Sequence, residues 1–474
     1  MLFHRSVRVY FLACVFLTIA SAQGAPPADN KPSLEAGASG IRSSPLKADM
    51  EERPLPATVE NACVGGGGRY FILLLPSQRS LAIFDVNEAK VVKYLSLADD
   101  NVRFAASLEK LFVVYPDRNI LQRFDLATYQ KEITVQIPFD GKVKAITTGS
   151  AAAGPLLVHF DKGGEVGNSP VTFLDPVTIR ELKLGGVAET GGVVRHSTGD
   201  VYHYRASPDG SVFGGWVTSH SQSMSSIVLS DNSASVYQGP MAGSVVPAMD
   251  NTLVTAGGLY TKECKLRGGD KAEPRFRLRV PAQTGPFYVT CPGGGGAQHN
   301  TGKTDTTRPV DVYLAGDDRP IATLQDVELP TSNEAWTGSD FTQDKRVLFV
   351  PEAKLIAIIP KSNDRLILHR FDVEKTLKNG KLDYLFVVSR PPAVAYKGTP
   401  FAYTPQAWSR KGGVKVKLDS GPEGMQVAAS GKVTWHVPKD FAETQAVTIL
   451  TVSDGSGQEI FHTFKVAVRE APSQ

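Results

Sequence analysis

The chain has 474 residues, of which 42% are hydrophobic and 21% charged, and its formal net charge is +3. That length exceeds what one core usually holds, so two folded domains are expected, and the composition is ordinary for a folded soluble protein. The charge is small and its Lys and Arg residues are scattered, which excludes a nucleic-acid footprint. The 44 Gly and 31 Pro predict many turns and few long helices.

Residues 1–22 read as a secretory signal peptide. Arg5 and Arg8 supply a positive leader, Val9 to Ala20 (VYFLACVFLTIA) is apolar, and Ala20-Ser21-Ala22 offers a small-x-small cleavage pattern. The apolar run is shorter than the roughly 20 residues a bilayer span needs; the alternative is an uncleaved anchor. The expectation is an exported protein: periplasmic, cell-surface or secreted. Residues 23–56 (QGAPPADNKP to EERPLP) are rich in Pro, Ala, Ser and charge without apolar periodicity, and are expected to be a flexible linker.

From 57 to 388 the sequence alternates short apolar runs with turn residues. YFILLL (70–75), KLFVVY (110–115), PLLVHF (155–160), SSIVLS (225–230), RVLFVP (346–351) and KLIAIIP (354–360) each predict a strand. No amphipathic helix of three turns is visible, so the region is predicted all-β. The informative feature is an internal repeat: Pro76, Leu81, Phe84 and Asp85 recur 40 residues later as Pro116, Leu121, Phe124 and Asp125. A further copy ends at Phe371-Asp372, and weaker copies surround Asp175, Asp231 and Asp317. In each, a short acidic side chain is placed to accept a hydrogen bond from the backbone two residues on and close a turn. About 330 residues at roughly 40–50 per repeat give seven units, which as lone sheets bury only one face and as a closed ring bury both. The prediction is therefore a seven-bladed β-propeller over 57–388, with the fifth blade (about 243–283) placed mainly by arithmetic.

This repeat resembles the bacterial YVTN-type and WD-repeat-like propellers, within the superfamily that includes the quinoprotein dehydrogenases. The WD dipeptide and the tryptophan-bearing quinoprotein repeat are both missing, so the resemblance implies architecture rather than chemistry. Residues 389–470 carry a more specific pattern: Pro392, Gly398, Pro400, Phe401 and Tyr403; then Gly421, Pro422, Gly424 and Met425; then Gly431, Val433, Thr434 and Trp435; then Val452, Asp454 and Gly455. It resembles the immunoglobulin-like, cadherin-related domain common on bacterial surfaces. The alternating runs VKVKL, KVTWHV, AVTILTV and HTFKVAV independently suggest a β-sandwich, with Met425, Trp435 and Phe464 in its core. The resemblance also implies Asp454 as a calcium candidate, although the cadherin ligand motifs are missing and calcium takes six to eight oxygens. A turn-closing role is the alternative for Asp454.

Candidate chemistry is sparse. Three cysteines remain after the signal segment; export permits a disulfide, for which Cys264 and Cys291 are the chosen pair with Cys63 left over, and three reduced thiols are the alternative. Ala297 to Thr304 (AQHNTGKT) matches a loose phosphate-loop pattern, but a Pro-broken loop and a strand follow instead of a helix, so no nucleotide is expected. The runs Gly65–Gly68 and Gly293–Gly296 read as propeller loops. No zinc, hydrolase-elbow or glycosidase pattern appears, and no cofactor is expected. His203 and Tyr204 are placed near the propeller centre with Arg205, with a structural role for the histidine preferred. The expected function is non-catalytic binding or scaffolding, with loops presented to a protein or glycan; the rivals are a channel-centred lyase, glycosidase or dehydrogenase, and a purely structural envelope component.

Overall fold

The computed structural model describes residues 40–161, 171–185, 202–217, 223–230, 232–267, 277–291, 307–330 and 340–471. The signal segment, Gly293–Gly296 and the Ala297–Thr304 match lie outside the described residues, as do Asp231 and residues 23–39 of the expected linker.

The described chain is all-β apart from one short helix and a few 3-10 turns. After β1 (Met50–Pro54) come antiparallel sheets that each use strands adjacent in sequence. The first holds β2 (Asn61–Gly65), β3 (Tyr70–Leu75), β4 (Ser80–Asp85) and β5 (Lys90–Ser96). The second holds β6 (Arg103–Ala106), β7 (Lys110–Tyr115), β8 (Ile120–Asp125) and β9 (Lys131–Gln136). The third holds β10 (Lys142–Thr147), β11 (Leu156–Asp161) and β12 (Val171–Leu174); the fourth, β13 (Tyr202–Ala206), β14 (Val212–Val217), β15 (Ser223–Ser230) and β16 (Ser233–Met241). The fifth holds β17 (Val245–Pro247), β18 (Leu253–Thr255) and β19 (Gly258–Tyr260); the sixth, β20 (Leu278–Pro281), β21 (Phe287–Cys291), β22 (Thr307–Leu314) and β23 (Ala322–Glu328). The last holds β24 (Val347–Val350), β25 (Leu355–Ile358) and β26 (Arg365–Arg370), and β1 pairs with β26 as its fourth strand.

Period-two side-chain alternation turns these sheets into a stack with shared cores. Along β3, Tyr70, Ile72 and Leu74 pack in one cluster with Val113 and Phe124 of the second sheet. Phe71, Leu73 and Leu75 pack on the other side with Leu348, Val350 and Leu366 of the last sheet. Both faces are therefore covered, which is why YFILLL shows no polar alternation. The outermost strand β5 (KVVKYLS) is mostly exposed and reads accordingly.

Asp85, Asp125, Asp175 and Asp317 accept from the amide two residues on, as their position predicts, whereas Asp372 departs from it and caps a helix. Asp85 accepts from the Asn87 amide at 2.9 Å, Asp125 from Thr128 at 2.9 Å and Asp175 from Thr178 at 2.7 Å. Asp372 accepts from the Lys375 amide at 2.9 Å and caps the helix α1 (Val373–Asn379). A basic partner on the preceding hairpin joins three of them: Arg69–Asp85 at 2.7 Å, Lys110–Asp125 at 2.9 Å and Lys354–Asp372 at 2.6 Å.

Some expectations need correction. Residues 50–54 of the expected flexible linker form β1, and the Ser44 hydroxyl donates to the Val86 carbonyl at 2.6 Å. MEERP gives no periodic signal because it is an edge strand whose contribution is backbone pairing. At the expected 388/389 boundary, β27 (Leu385–Val387) pairs with β30 (Ala407–Ser409), while Phe386 and Val388 sit in the core of the sixth and last sheets. Cys264 and Cys291 are free thiols in separate apolar clusters, and burial pushes the Cys291 thiol up to about 12. The fifth unit also ends earlier than the arithmetic placed it, since 278–281 opens the next sheet.

Beyond β27 lie β28 (Val394–Tyr396), β29 (Pro400–Tyr403), β30, β31 (Lys415–Ser420), β32 (Gln426–Val427), β33 (Val433–His436), β34 (Gln445–Ser453) and β35 (Glu459–Arg469). One sheet has the order β28-β35-β34-β31 and another β29-β33-β32. Met425, Trp435 and Phe464 share a buried cluster with Phe401 and Leu450, as their alternation predicts. No helix among the described residues is long and apolar enough to cross a membrane.

Candidate functional site

The first strands of successive sheets lie side by side, and polar and charged groups from three distant segments meet near their N-terminal ends. Asn61 opens β2, His203 and Arg205 lie two apart on β13, and Asp340 to Lys345 leads into β24 through a 3-10 turn, Gln343–Arg346. Period two places His203 and Arg205 on one face of their sheet, where Trp216 of β14 also points. The His203 ring stacks on Trp216 with centroids 5.0 Å apart, and the Arg205 guanidinium lies 4.9 Å from the same indole.

Two ion pairs organise the cluster. Arg205 Nε donates to Asp344 Oδ2 at 2.6 Å, and Arg205 Nη2 donates to Thr342 Oγ1 at 2.6 Å. The Thr342 hydroxyl donates in turn to Asp344 Oδ1 at 2.6 Å. Lys345 Nζ donates to Asp340 Oδ2 at 2.6 Å and to Asn61 Oδ1 at 2.8 Å. His203 Nδ1 lies 3.4 Å from Asp340 Oδ1, while its Nε2 is buried without a hydrogen-bond partner. The Asp344 side chain is 3% exposed and that of Asp340 30%, so the first pair is interior and the second faces outward.

Electrostatics decide the chemistry available here. Burial opposes ionisation of Asp340, but Lys345, His203 and Arg205 outweigh it and hold the carboxyl well below its usual range. Asp344 is likewise lowered, Arg205 and Thr342 outweighing burial. For Lys345 burial wins over the attraction of Asp340, and its pKa is lowered. Burial also pushes the Cys63 thiol up to about 12 despite the neighbouring Lys345 charge, so it offers no thiolate. Two carboxylates held ionised and hydrogen-bonded cannot donate protons near neutral pH. Arg205 ties β13 to the segment before β24, and Lys345 ties that segment to β2.

His203 and Arg205 thus lie together beside Asp340 and Asp344. Tyr204 between them faces the other way, into the cluster with Phe173 and Phe213. Asn61, Trp216 and the Asp340, Thr342, Asp344 and Lys345 group were missed. The only available signal was three charges packed before an apolar run, in SDFTQDKRVLFV. Asp454 stands apart on the C-terminal unit. Its Oδ1 accepts from the Ser456 amide at 2.9 Å and its Oδ2 from the Ser409 hydroxyl at 2.6 Å, which closes the β34–β35 turn. The hydroxyls of Ser409 and Ser456 lower its pKa to about 2.

No family model and no curated protein matches the chain. Among solved structures it is similar to β-propeller domains. The Myceliophteria thermophila Cps50 (Swd1) β-propeller domain aligns over 68% of this chain and 99% of its own at 9% identity and TM-score 0.44. Hydrazine synthase of Kuenenia stuttgartiensis aligns over 90% and 99% at 11% identity and TM-score 0.35. A gluconolactonase of Xanthomonas campestris aligns over 51% and 85% at 12% identity and TM-score 0.33.

Proposed function

We propose that this chain is a non-catalytic binding scaffold that works outside the cytoplasm. In this reading the seven sheets are the blades of one β-propeller and β1 completes the last blade. The C-terminal unit is an immunoglobulin-like sandwich, and the propeller loops bind a protein or glycan. Ring closure is supported by the apolar cluster that joins the last sheet to the first, Leu348 and Val350 with Phe71 and Leu73. Export is supported by the leader pattern of residues 1–22.

The observation that carries the binding reading is the commitment of the central charges. Asp340 and Asp344 each lie 2.6 Å from a cationic partner, Lys345 of the same segment and Arg205 of β13. In this reading a propeller enzyme centred there would use these carboxylates, and both are committed to ion pairs. The test is chemical crosslinking of the purified protein to envelope extract. A charge reversal in a loop between second and third strands, Arg118→Glu, is compared with Asp340→Asn. Loss of one reproducible adduct with the loop variant only is the expected result. Hydrolase, lyase or dehydrogenase turnover abolished by Asp340→Asn overturns it.

A further inference from the structure

Arg390, in the segment that enters the C-terminal unit, is buried at the opposite ends of the first strands from the charge cluster. Its Nη1 donates to the Gly67 carbonyl at 2.7 Å, and its Nη2 donates to the Gln283 carbonyl. Gly67 belongs to the hairpin turn of the first sheet and Gln283 to that of the sixth, so one guanidinium joins two sheets distant in sequence. The turns themselves interlock: Gly67 N donates to Ser150 O at 2.7 Å, Ala151 N to Pro208 O at 2.8 Å, and Ser150 Oγ to Gln283 Oε1 at 3.0 Å.

The glycine run 65–68 is shaped around this contact. Gly67 has φ +68° and a Cβ there would lie 3.0 Å from Arg390 Nη1; Gly68 has φ +99° and a Cβ would lie 3.0 Å from Gln283 Cβ. A side chain at either place strains the backbone and crowds the guanidinium or the turn that receives it. No carboxylate hydrogen-bonds Arg390 among the described residues, and its Nε is buried without a partner. A cation is thus withdrawn from water and hydrogen-bonded by carbonyls alone, with the charges of Glu352 and Asp209 acting on it only from a distance, a costly arrangement that an apolar side chain would not require. A second arginine from the same unit reaches the same face: Arg469 Nη2 of β35 donates to Ala153 O in the third sheet's turn at 3.2 Å.

We infer that Arg390 is a clasp: seated among the hairpin turns, it locks the C-terminal unit against that end of the sheets and makes the two parts one rigid body. The full chain is compared with Arg390→Ala, Arg390→Gln and Arg390→Lys by small-angle scattering and amide hydrogen exchange. With the clasp removed, Ala and Gln variants are expected to keep their strand content, enlarge the radius of gyration, and exchange the Gly67 and Ala151 amides at least tenfold faster. Lys, which keeps charge but loses the two-pronged donor, falls between. Superimposable scattering curves and unchanged exchange in both neutral variants overturn the clasp. So does failure of both variants to form the sheets, because Arg390 would then be a folding element of the sheets themselves.

Discussion

The two ends of the first strands are closed by different means. At one end, Arg205, Lys345, Asp340 and Asp344 neutralise one another in pairs. At the other, backbone carbonyls of tight turns receive the guanidinium of Arg390, and a further turn that of Arg469. The first end depends on which side chains are present, and the second on how the backbone is allowed to turn. Substitution should therefore break the first by stranding a charge and the second by adding a Cβ.

The largest expected effect is at the charged end. Asp344→Ala leaves Arg205, whose side chain is 12% exposed, without its nearest anion. Removing one member of a buried pair costs about 3–5 kcal/mol, whereas replacing both with apolar groups costs far less. Urea unfolding should place Asp344→Ala well below wild type and Asp344→Leu with Arg205→Met closer to it. Equal losses in the single and double variants break the comparison, because the pair would then contribute as packing and not as charge.

Next comes acid. Burial holds His159, among the sheets, at about 4, and burial likewise holds His462, beside the Tyr403 hydroxyl in the C-terminal unit, at about 4. Both start from 6.5 when unfolded, so between 6.5 and 4 the unfolded chain takes protons that the folded chain refuses. Stability is full above that window and falls as pH drops through it, by up to about 3 kcal/mol for the well-buried His159 and less for His462. Thermal scans at pH 7 and pH 4.5 check this; His159→Phe should flatten the loss, and a stability that rises on acidification refutes the assignment.

The turn end is tested by two glycines. Gly67→Ala must accept a positive φ and a contact 3.0 Å from Arg390, while Gly424→Ala accepts φ +81° with nothing within 4 Å. The shared backbone cost is about 1–2 kcal/mol, so any excess at Gly67 reports the Arg390 seat. Identical melting shifts for the two variants would detach the glycine run from the clasp.

How much of this was legible follows the same division. The apolar runs at 70–75 and 110–115 coincide with β3 and β7, and the 40-residue echo located the Asp turns, because buried strands and turn acids carry their signal in residue type at short range. Met425, Trp435 and Phe464 were legible for the same reason. β1 was not, since an edge strand contributes hydrogen bonds that any residue supplies. The Arg205–Asp344 pair spans 139 residues, and no local pattern ties the two together. Arg390 hydrogen-bonds main-chain carbonyls, which leave no trace in the identity of the residues that bear them. On the sequence alone His203, Tyr204 and Arg205 form one group, and the period of the strand sends Tyr204 to the opposite face, into the cluster with Phe173 and Phe213.

The smallest expected effect lies at the rim of the turn end, where charges are present but wet. Lys110 and Asp125 are 2.9 Å apart with side chains 26% and 24% exposed, and Asp125 also accepts from the Thr128 amide and hydroxyl. Asp125→Asn keeps the turn acceptor and removes the ion pair; Asp125→Ala removes both. Surface pairs contribute roughly 0–1 kcal/mol and a neutral hydrogen bond about 1 kcal/mol. Asn should therefore unfold close to wild type and Ala about 1–2 kcal/mol below it, by denaturant midpoint in moderate salt. A loss on Asp125→Asn as large as that on Asp344→Ala would mean that the number of charges, and not their withdrawal from water, sets the cost at both ends.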